Sequence, residues 1–156
     1  MHTFATLCYL RNQNQILLQR KAAGLFGEGR WNAPGGKLLE GETPERGAFR
    51  ETLEETGLSV NNLRFHGLLN FYLGTVRRLD QVVFVFSCHK YAGNLHPNRE
   101  GELRWFSTEG IPYSEMWEDD RIWLPLLLEG KSFVGDFYFT DDYKQLMGQS
   151  LTLVLP

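Results

Sequence analysis

The chain has 156 residues, 16 Lys+Arg against 19 Asp+Glu for a net charge of −3, and 42% hydrophobic residues. That is the length of one globular domain, too apolar for a disordered tail and without the basic excess needed to wrap the phosphates of a nucleic-acid polymer. Cys8 and Cys88 stand far apart in no ligating pattern and read as buried, reduced thiols.

In chain order, residues 3–10 and 15–20 read as strands joined across the polar turn Arg11-Asn12-Gln13-Asn14. Residues 22–36 form a Gly- and Pro-containing loop, followed by a short strand near 37–39. A helix is expected from Pro44 to Thr56, with Thr43 as N-cap, Pro44 in the first turn and Gly57 as the left-handed stop. Strands follow at 64–73 and 79–89, a polar loop from Gly93 to Gly101, a short strand at 102–106, a helix at 121–129 and extended segments at 132–140 and 149–155. No repeat or linker divides the chain, so one domain over 1–156 is expected. The pattern implies an α+β sandwich and excludes a doubly wound nucleotide-binding sheet. The opening Met1-His2-Thr3-Phe4 lacks the features of a signal peptide, and no window approaches the roughly 20 apolar residues of a membrane span. A cytoplasmic location is expected.

On the first helix Glu51, Glu54 and Glu55 stand at i, i+3 and i+4, within about a 100° arc, so three carboxylates share one face. Phe49 and Leu53 point nearly the opposite way and are expected to form the core stripe, flanked by Thr52. Gly47 and Ala48, about one turn earlier, are expected to leave room for a ligand's phosphates. Clustered glutamates are usually a solvated face, but like charges this close cost stability unless a cation neutralises them. Oxygen-only donors suit Mg²⁺, which commonly bridges to substrate phosphates, and two such ions would suit a two-metal displacement.

Residues 36–58, GKLLEGETPERGAFRETLEETGL, resemble the Nudix box, with Gly36, Glu42, Arg50, Glu51, Glu54, Glu55, Gly57 and Leu58 in register and Thr52 where an aliphatic is expected. The resemblance implies the Nudix fold, an α/β/α sandwich with a mixed central sheet and the box helix packed on it. It implies Mg²⁺, with Mn²⁺ as a substitute, held by Glu51, Glu54, Glu55 and the Gly36 carbonyl, with Glu100 as a further ligand. Arg50 would pair with Glu42 to fix the loop against the helix, and Glu55 or Glu100 would serve as general base.

Trp31-Asn32-Ala33-Pro34-Gly35-Gly36-Lys37 resembles the loop entering the box in MutT-type enzymes. Met116-Trp117-Glu118-Asp119-Asp120, with Trp123-Leu124-Pro125 after it, is similar to the 8-oxo-dGTP diphosphatase branch. That likeness implies purine binding by Asn32, Trp117, Asp119 and Asp120, with Phe26 and Phe71 as walls and Thr6 and Lys21 nearby. The chemistry is coherent. Trp117 offers a face for stacking, and Asn32 carries both a donor and an acceptor. The paired carboxylates can accept from guanine-type N–H groups, and their crowding raises one pKa so that a shared proton tolerates more than one purine. The same acids would also suit a helix N-terminus, and Trp123 is assigned to the core.

The function implied is hydrolysis of oxidised purine nucleoside triphosphates to the monophosphate and pyrophosphate, sanitising the nucleotide pool. Other nucleotide substrates (a general nucleoside triphosphate, ADP-ribose, a dinucleotide polyphosphate) stay open, as does a non-catalytic nucleotide-sensing Nudix domain, which the intact set of box carboxylates disfavours. The expected partner is a small nucleotide, with no nucleic-acid polymer, no membrane, and a monomer or weak dimer as the working unit.

Overall fold

The computed structural model describes residues 2–96 and 101–155, so Glu100 lies outside the described residues. Strands β1 (Thr3–Asn12) and β2 (Gln15–Lys21) form the expected hairpin, closed by a tight turn with Gln13 at φ +55°. Two short strands, β3 (Trp31–Asn32) and β4 (Gly35–Lys37), lead into α1 (Pro44–Thr56). Then come β5 (Leu58–Asn61), β6 (Arg64–Leu73), β7 (Arg78–Cys88), β8 (Lys90–Gly93) and β9 (Gly101–Ser107). Helix α2 (Asp120–Leu128) precedes the final hairpin of β10 (Ser132–Phe139) and β11 (Leu146–Val154).

The main sheet runs β11-β10-β6-β7-β1-β2-β3, with β4 also on β1 and β9 on β2. It is mixed: β1 pairs β7 and β6 pairs β10 in parallel, while the hairpins are antiparallel. Side chains of β1 alternate between two cores, as a pleated strand requires. Ala5 and Tyr9 join Trp123, Leu124 and Leu127 of α2 on one side. Cys8 and Leu10 join Ala48 of α1, Leu58 and Val60 on the other. A helix therefore covers each face of the sheet, the layering expected of an α/β/α sandwich. No helix among the described residues is long and apolar enough to cross a membrane.

Two expectations need correction. Phe49 and Leu53 are not the core stripe of α1; they are 40% and 42% exposed, while Gly47, Ala48, Thr52, Glu55 and Thr56 are buried. The helix packs on β1, β4 and β5 through its smallest side chains, which allows a close approach that large apolar residues would prevent. For the same reason Gly47 and Ala48 do not leave room for phosphates. Ala48 is fully enclosed in the core, and Gly47 lies beneath Leu38 and Glu42.

Smaller differences concern short strands. The strand expected near 37–39 is instead Gly35–Lys37, set by pairing of Leu7 with Gly35 and Ala5 with Lys37. The two-stranded β5–β8 ladder had no signal of its own, each strand being four residues long.

Candidate active site

Helix α1 has the ends its sequence specifies. The Thr43 hydroxyl accepts from the Arg46 N–H at 3.3 Å, and Gly57, at φ +81°, donates its N–H to the Leu53 carbonyl. Arg50 ties the preceding loop to the helix. Its Nε and one terminal nitrogen donate to the two Glu42 oxygens at 2.8 and 3.0 Å, and that nitrogen also reaches the Lys37 carbonyl at 3.1 Å. With the Leu39 N–H donating to it as well, Glu42 is held down at about 2, chiefly by the Arg50 hydrogen bonds.

The other terminal nitrogen of Arg50 donates to Glu51 at 2.8 Å and lies 3.3 Å from Glu54. Glu55 is 2% exposed; it accepts the Gly35 N–H at 2.8 Å and has Lys21 Nζ 3.8 Å away. A Cβ on Gly35 would stand 1.9 Å from the Thr6 carbonyl oxygen, so only glycine lets β4 lie this close to β1, and at Gly36 the β4 backbone is pressed against the Glu51 carboxyl group.

Among the described residues no group of three His, Cys, Asp or Glu side chains stands ready to hold a metal ion; Arg50 holds Glu51 and Glu54, and Lys21 lies beside Glu55. The donor set nonetheless fits a hard divalent cation. It is all oxygen and anionic, it lies along one helix edge, and the β4 backbone is pressed against Glu51.

Beside this edge lies a cavity of about 200 Å³. All eight residues assigned to purine binding line it: Thr6 from β1, Lys21 from β2, Phe26 from the following loop, Asn32 from β3, Phe71 from β6, Trp117 and Asp119 from the approach to α2, and Asp120 from its first turn. Gly35 and Gly36 also line it, which joins cavity and edge.

Asp119 and Asp120 are 3% and 2% exposed. Asp119 occupies the N-cap position of α2 without a capping bond and instead accepts from Trp123 Nε1 at 2.8 Å. Burial is the main reason its carboxyl is pushed up to about 6. Burial, then the charge of Asp119, raises Asp120 well above the usual carboxylate range. Desolvation thus outweighs the crowding argued from sequence. Asp120 Oδ2 and Thr6 Oγ1 are buried with no hydrogen-bond partner among the described residues, and two such atoms in one cavity wall call for a polar ligand. The Asn32 oxygen already accepts from Tyr9 and Ala33, which leaves its amide nitrogen for a ligand.

Trp123 is core, fully enclosed and edge-on to Tyr9. Trp117 carries Phe26 stacked on it at 5.2 Å, and the Arg30 guanidinium lies 4.2 Å from its ring centroid. Phe26 is thus a rim residue, 64% exposed, rather than an interior wall.

The sequence did not point to Arg30, Gln81, Phe139 or Tyr143, all on the cavity wall. Gln81 had a signal, as a polar residue entering the apolar run Val82-Val83-Phe84. Tyr143, in a turn 22 residues past Arg121, had none.

A mixed sheet between two helices, with a box helix whose arginine clamps its own entry loop, defines the class: the family described as NUDIX domain matches residues 1–127, and the chain belongs to it as a Nudix hydrolase. Members of this family generally use divalent metal ions. The chain is 43% identical over 137 residues to the oxidized purine nucleoside triphosphate hydrolase of Mus musculus, covering 87% of this chain and 86% of that protein. It is 41% identical over 135 residues to the protein of the same name from Danio rerio, covering 86% and 85%. A mutator MutT protein from Bacillus halodurans shares the fold with a TM-score of 0.84 at 27% identity, over 96% of this chain and 97% of that one.

Proposed function

We propose that this protein is a Mg²⁺-dependent diphosphatase that converts oxidised purine nucleoside triphosphates of the 8-oxo-dGTP type to the monophosphate and pyrophosphate, keeping damaged bases out of DNA. The observation that carries this is the pair of buried carboxylates, Asp119 and Asp120, beside Trp117 in a cavity that adjoins the box edge. One ionised and one protonated member present an acceptor and a donor together, matching the N–H groups and O6 of a guanine-type edge. The proton can exchange sides, which favours broad purine use. The Asn32 amide and the Thr6 hydroxyl add further polar partners, and Phe71 and Trp117 hold the ring, with Phe26 stacked on Trp117 at the rim.

Mg²⁺, for which Mn²⁺ can substitute, would be held by Glu51, Glu54, Glu55, the Gly36 carbonyl and Glu100, and would neutralise phosphate oxygens and activate water. Arg50 and Glu42 keep the loop and its glycines against that edge. Glu55, oriented by the Gly35 N–H, is the base we assign to the attacking water, with Glu100 as the alternative. Water, its proton taken by the base, attacks a phosphorus of the α–β anhydride, and the bond from that phosphorus to the bridging oxygen breaks to give the monophosphate and pyrophosphate. The working protein in this reading is a cytoplasmic monomer or weak dimer acting on a small nucleotide, with no nucleic-acid polymer or membrane as partner.

The test is kcat/KM with Mg²⁺ across 8-oxo-dGTP, dGTP, 2-oxo-dATP, dATP and ADP-ribose, with the phosphate product identified. Preference for the oxidised purines with pyrophosphate release is expected. Equal rates on all triphosphates would remove the base-reading role of the cavity, and turnover of ADP-ribose alone would replace the substrate class.

A further inference from the structure

The β7 wall of the cavity carries Gln81, a polar side chain that the base-reading scheme above leaves unused. Gln81 Nε2 lies 3.2 Å from the Tyr143 hydroxyl. Tyr143 donates that hydroxyl to Asp80 Oδ2 at 2.6 Å, and Asp80 Oδ1 is paired with Arg78 at 3.3 Å. The polarity of this chain is fixed from its outer end. A guanidinium only donates and the carboxylate it pairs with only accepts, so Tyr143 spends its one O–H on Asp80 and can only accept from Gln81. Gln81 therefore turns its amide nitrogen to Tyr143, and its carbonyl oxygen is the end able to meet a ligand.

Tyr143 is itself held unusually. It sits at φ +63°, a conformation that bulky residues keep only where the surroundings enforce it. Its N–H donates to the Thr140 carbonyl at 2.9 Å, Asp142 accepts from Thr140 and from the Lys144 N–H, and its ring packs edge-on to both Phe26 and Trp117.

We propose that Gln81 is a specificity-determining residue whose carbonyl oxygen, oriented by Tyr143 and Asp80, accepts a hydrogen bond from the imidazole side of an oxidised purine. This rests on the purine-cavity reading given above. The paired carboxylates and Asn32 answer the Watson–Crick edge, so the donor left for Gln81 is N7–H. An 8-oxopurine carries that hydrogen, whereas an ordinary purine presents a lone pair there. An acceptor fixed in this position attracts the first and repels the second.

The experiment compares kcat/KM for 8-oxo-dGTP and dGTP in the full-length wild type, Gln81→Met and Tyr143→Phe. Gln81→Met keeps length and removes the acceptor; the 8-oxo-dGTP to dGTP ratio is expected to fall about three- to tenfold, the size of one neutral hydrogen bond. Tyr143→Phe leaves the acceptor but frees its orientation, and is expected to lower the ratio by a smaller factor. An unchanged ratio in Gln81→Met, including an equal fall on both substrates, overturns the proposal. A ratio lowered in Gln81→Met but untouched in Tyr143→Phe overturns the orienting role of Tyr143. A wild type that cleaves neither nucleotide removes the underlying purine reading instead, so the two failures are distinguishable.

Discussion

The box edge and the purine cavity lie side by side but are built in opposite ways. The edge comes from one helix and the loop before it. Its charges cross-link one another through Arg50, and the Glu54 side chain stands 59% exposed. The cavity draws on residues from Thr6 to Tyr143 and on both ends of the sheet, and its two acids are nearly sealed from water. An edge that opens to solvent at Glu54 and holds its other carboxylates on Arg50 and Lys21 suits the proposed uptake of a cation and contact with phosphates. Buried ones suit discrimination, because in low dielectric an unmatched hydrogen bond is costly. In the proposed reading the reaction is encoded locally and the choice of substrate is assembled from distant parts of the chain.

The sharpest way to break that comparison is to neutralise one carboxylate on each side. Glu54→Gln removes a charge from an exposed helix position, so the protein is expected to stay folded by circular dichroism while kcat/KM falls by about 10²–10³ on every substrate, the usual cost of losing one electrostatic stabiliser. Retained turnover would remove Glu54 from the proposed metal site. Asp119→Asn is expected to act selectively instead. It should lower kcat/KM for 8-oxo-dGTP by about tenfold to a hundredfold, as for one charge-assisted hydrogen bond, with the dependence on Mg²⁺ concentration unchanged. A shift in the Mg²⁺ requirement would show that cavity and edge are not separable.

The same division governs how much could be read from sequence. Residues 36–58 carry their own caps, spacing and ion-pair partners, and the Pro44–Thr56 helix and the Arg50–Glu42 clamp follow from them. The core face of that helix did not follow, because hydrophobic periodicity selects Phe49 and Leu53, whereas close approach to the sheet selects small residues. The cavity was legible only where a motif resembled known proteins, as for Asn32 and Asp119-Asp120. Tyr143 and Gln81 meet across 62 residues through sheet pairing and a turn, and no local pattern announces that.

A third test uses proton linkage. Asp119 has its pKa raised to about 6 by burial, so the folded state holds this proton more tightly than the unfolded chain. Its contribution to stability is fully present below the unfolded carboxylate value and is lost as pH rises through about 6. His66 works in the other direction. It is buried between the Ser87 hydroxyl and the Lys131 carbonyl, burial lowers its pKa, and its contribution is present above the unfolded histidine value and is lost as pH falls from there through the lower folded one. Urea melts of wild type and Asp119→Asn between pH 4 and 7.5 separate the two, since the variant loses the Asp119 part, together with what its charge adds at Asp120, and keeps the His66 part. A stability difference that does not change with pH would show that Asp119 titrates normally.

The smallest expected effect lies on the back of the box helix, where both regions share a foundation. Thr52 is fully buried in α1, and its Oγ1 has no hydrogen-bond partner among the described residues. It faces Cys8, whose thiol burial pushes up to about 12 and the Thr52 hydroxyl pulls back in part, so the one interaction open to this hydroxyl is a weak contact with sulfur in a dry layer. Thr52→Val replaces an unpaired hydroxyl with a methyl of nearly the same shape. It is expected to stabilise the fold by about 1 kcal/mol and to raise Tm by roughly 2–4 °C, without altering the 8-oxo-dGTP to dGTP ratio. Loss of stability would mean that the contact between this hydroxyl and the Cys8 thiol holds the helix to the sheet. A changed ratio would be more informative, because the cavity would then depend on how the box helix is seated, and the two regions would be coupled through the sheet between them.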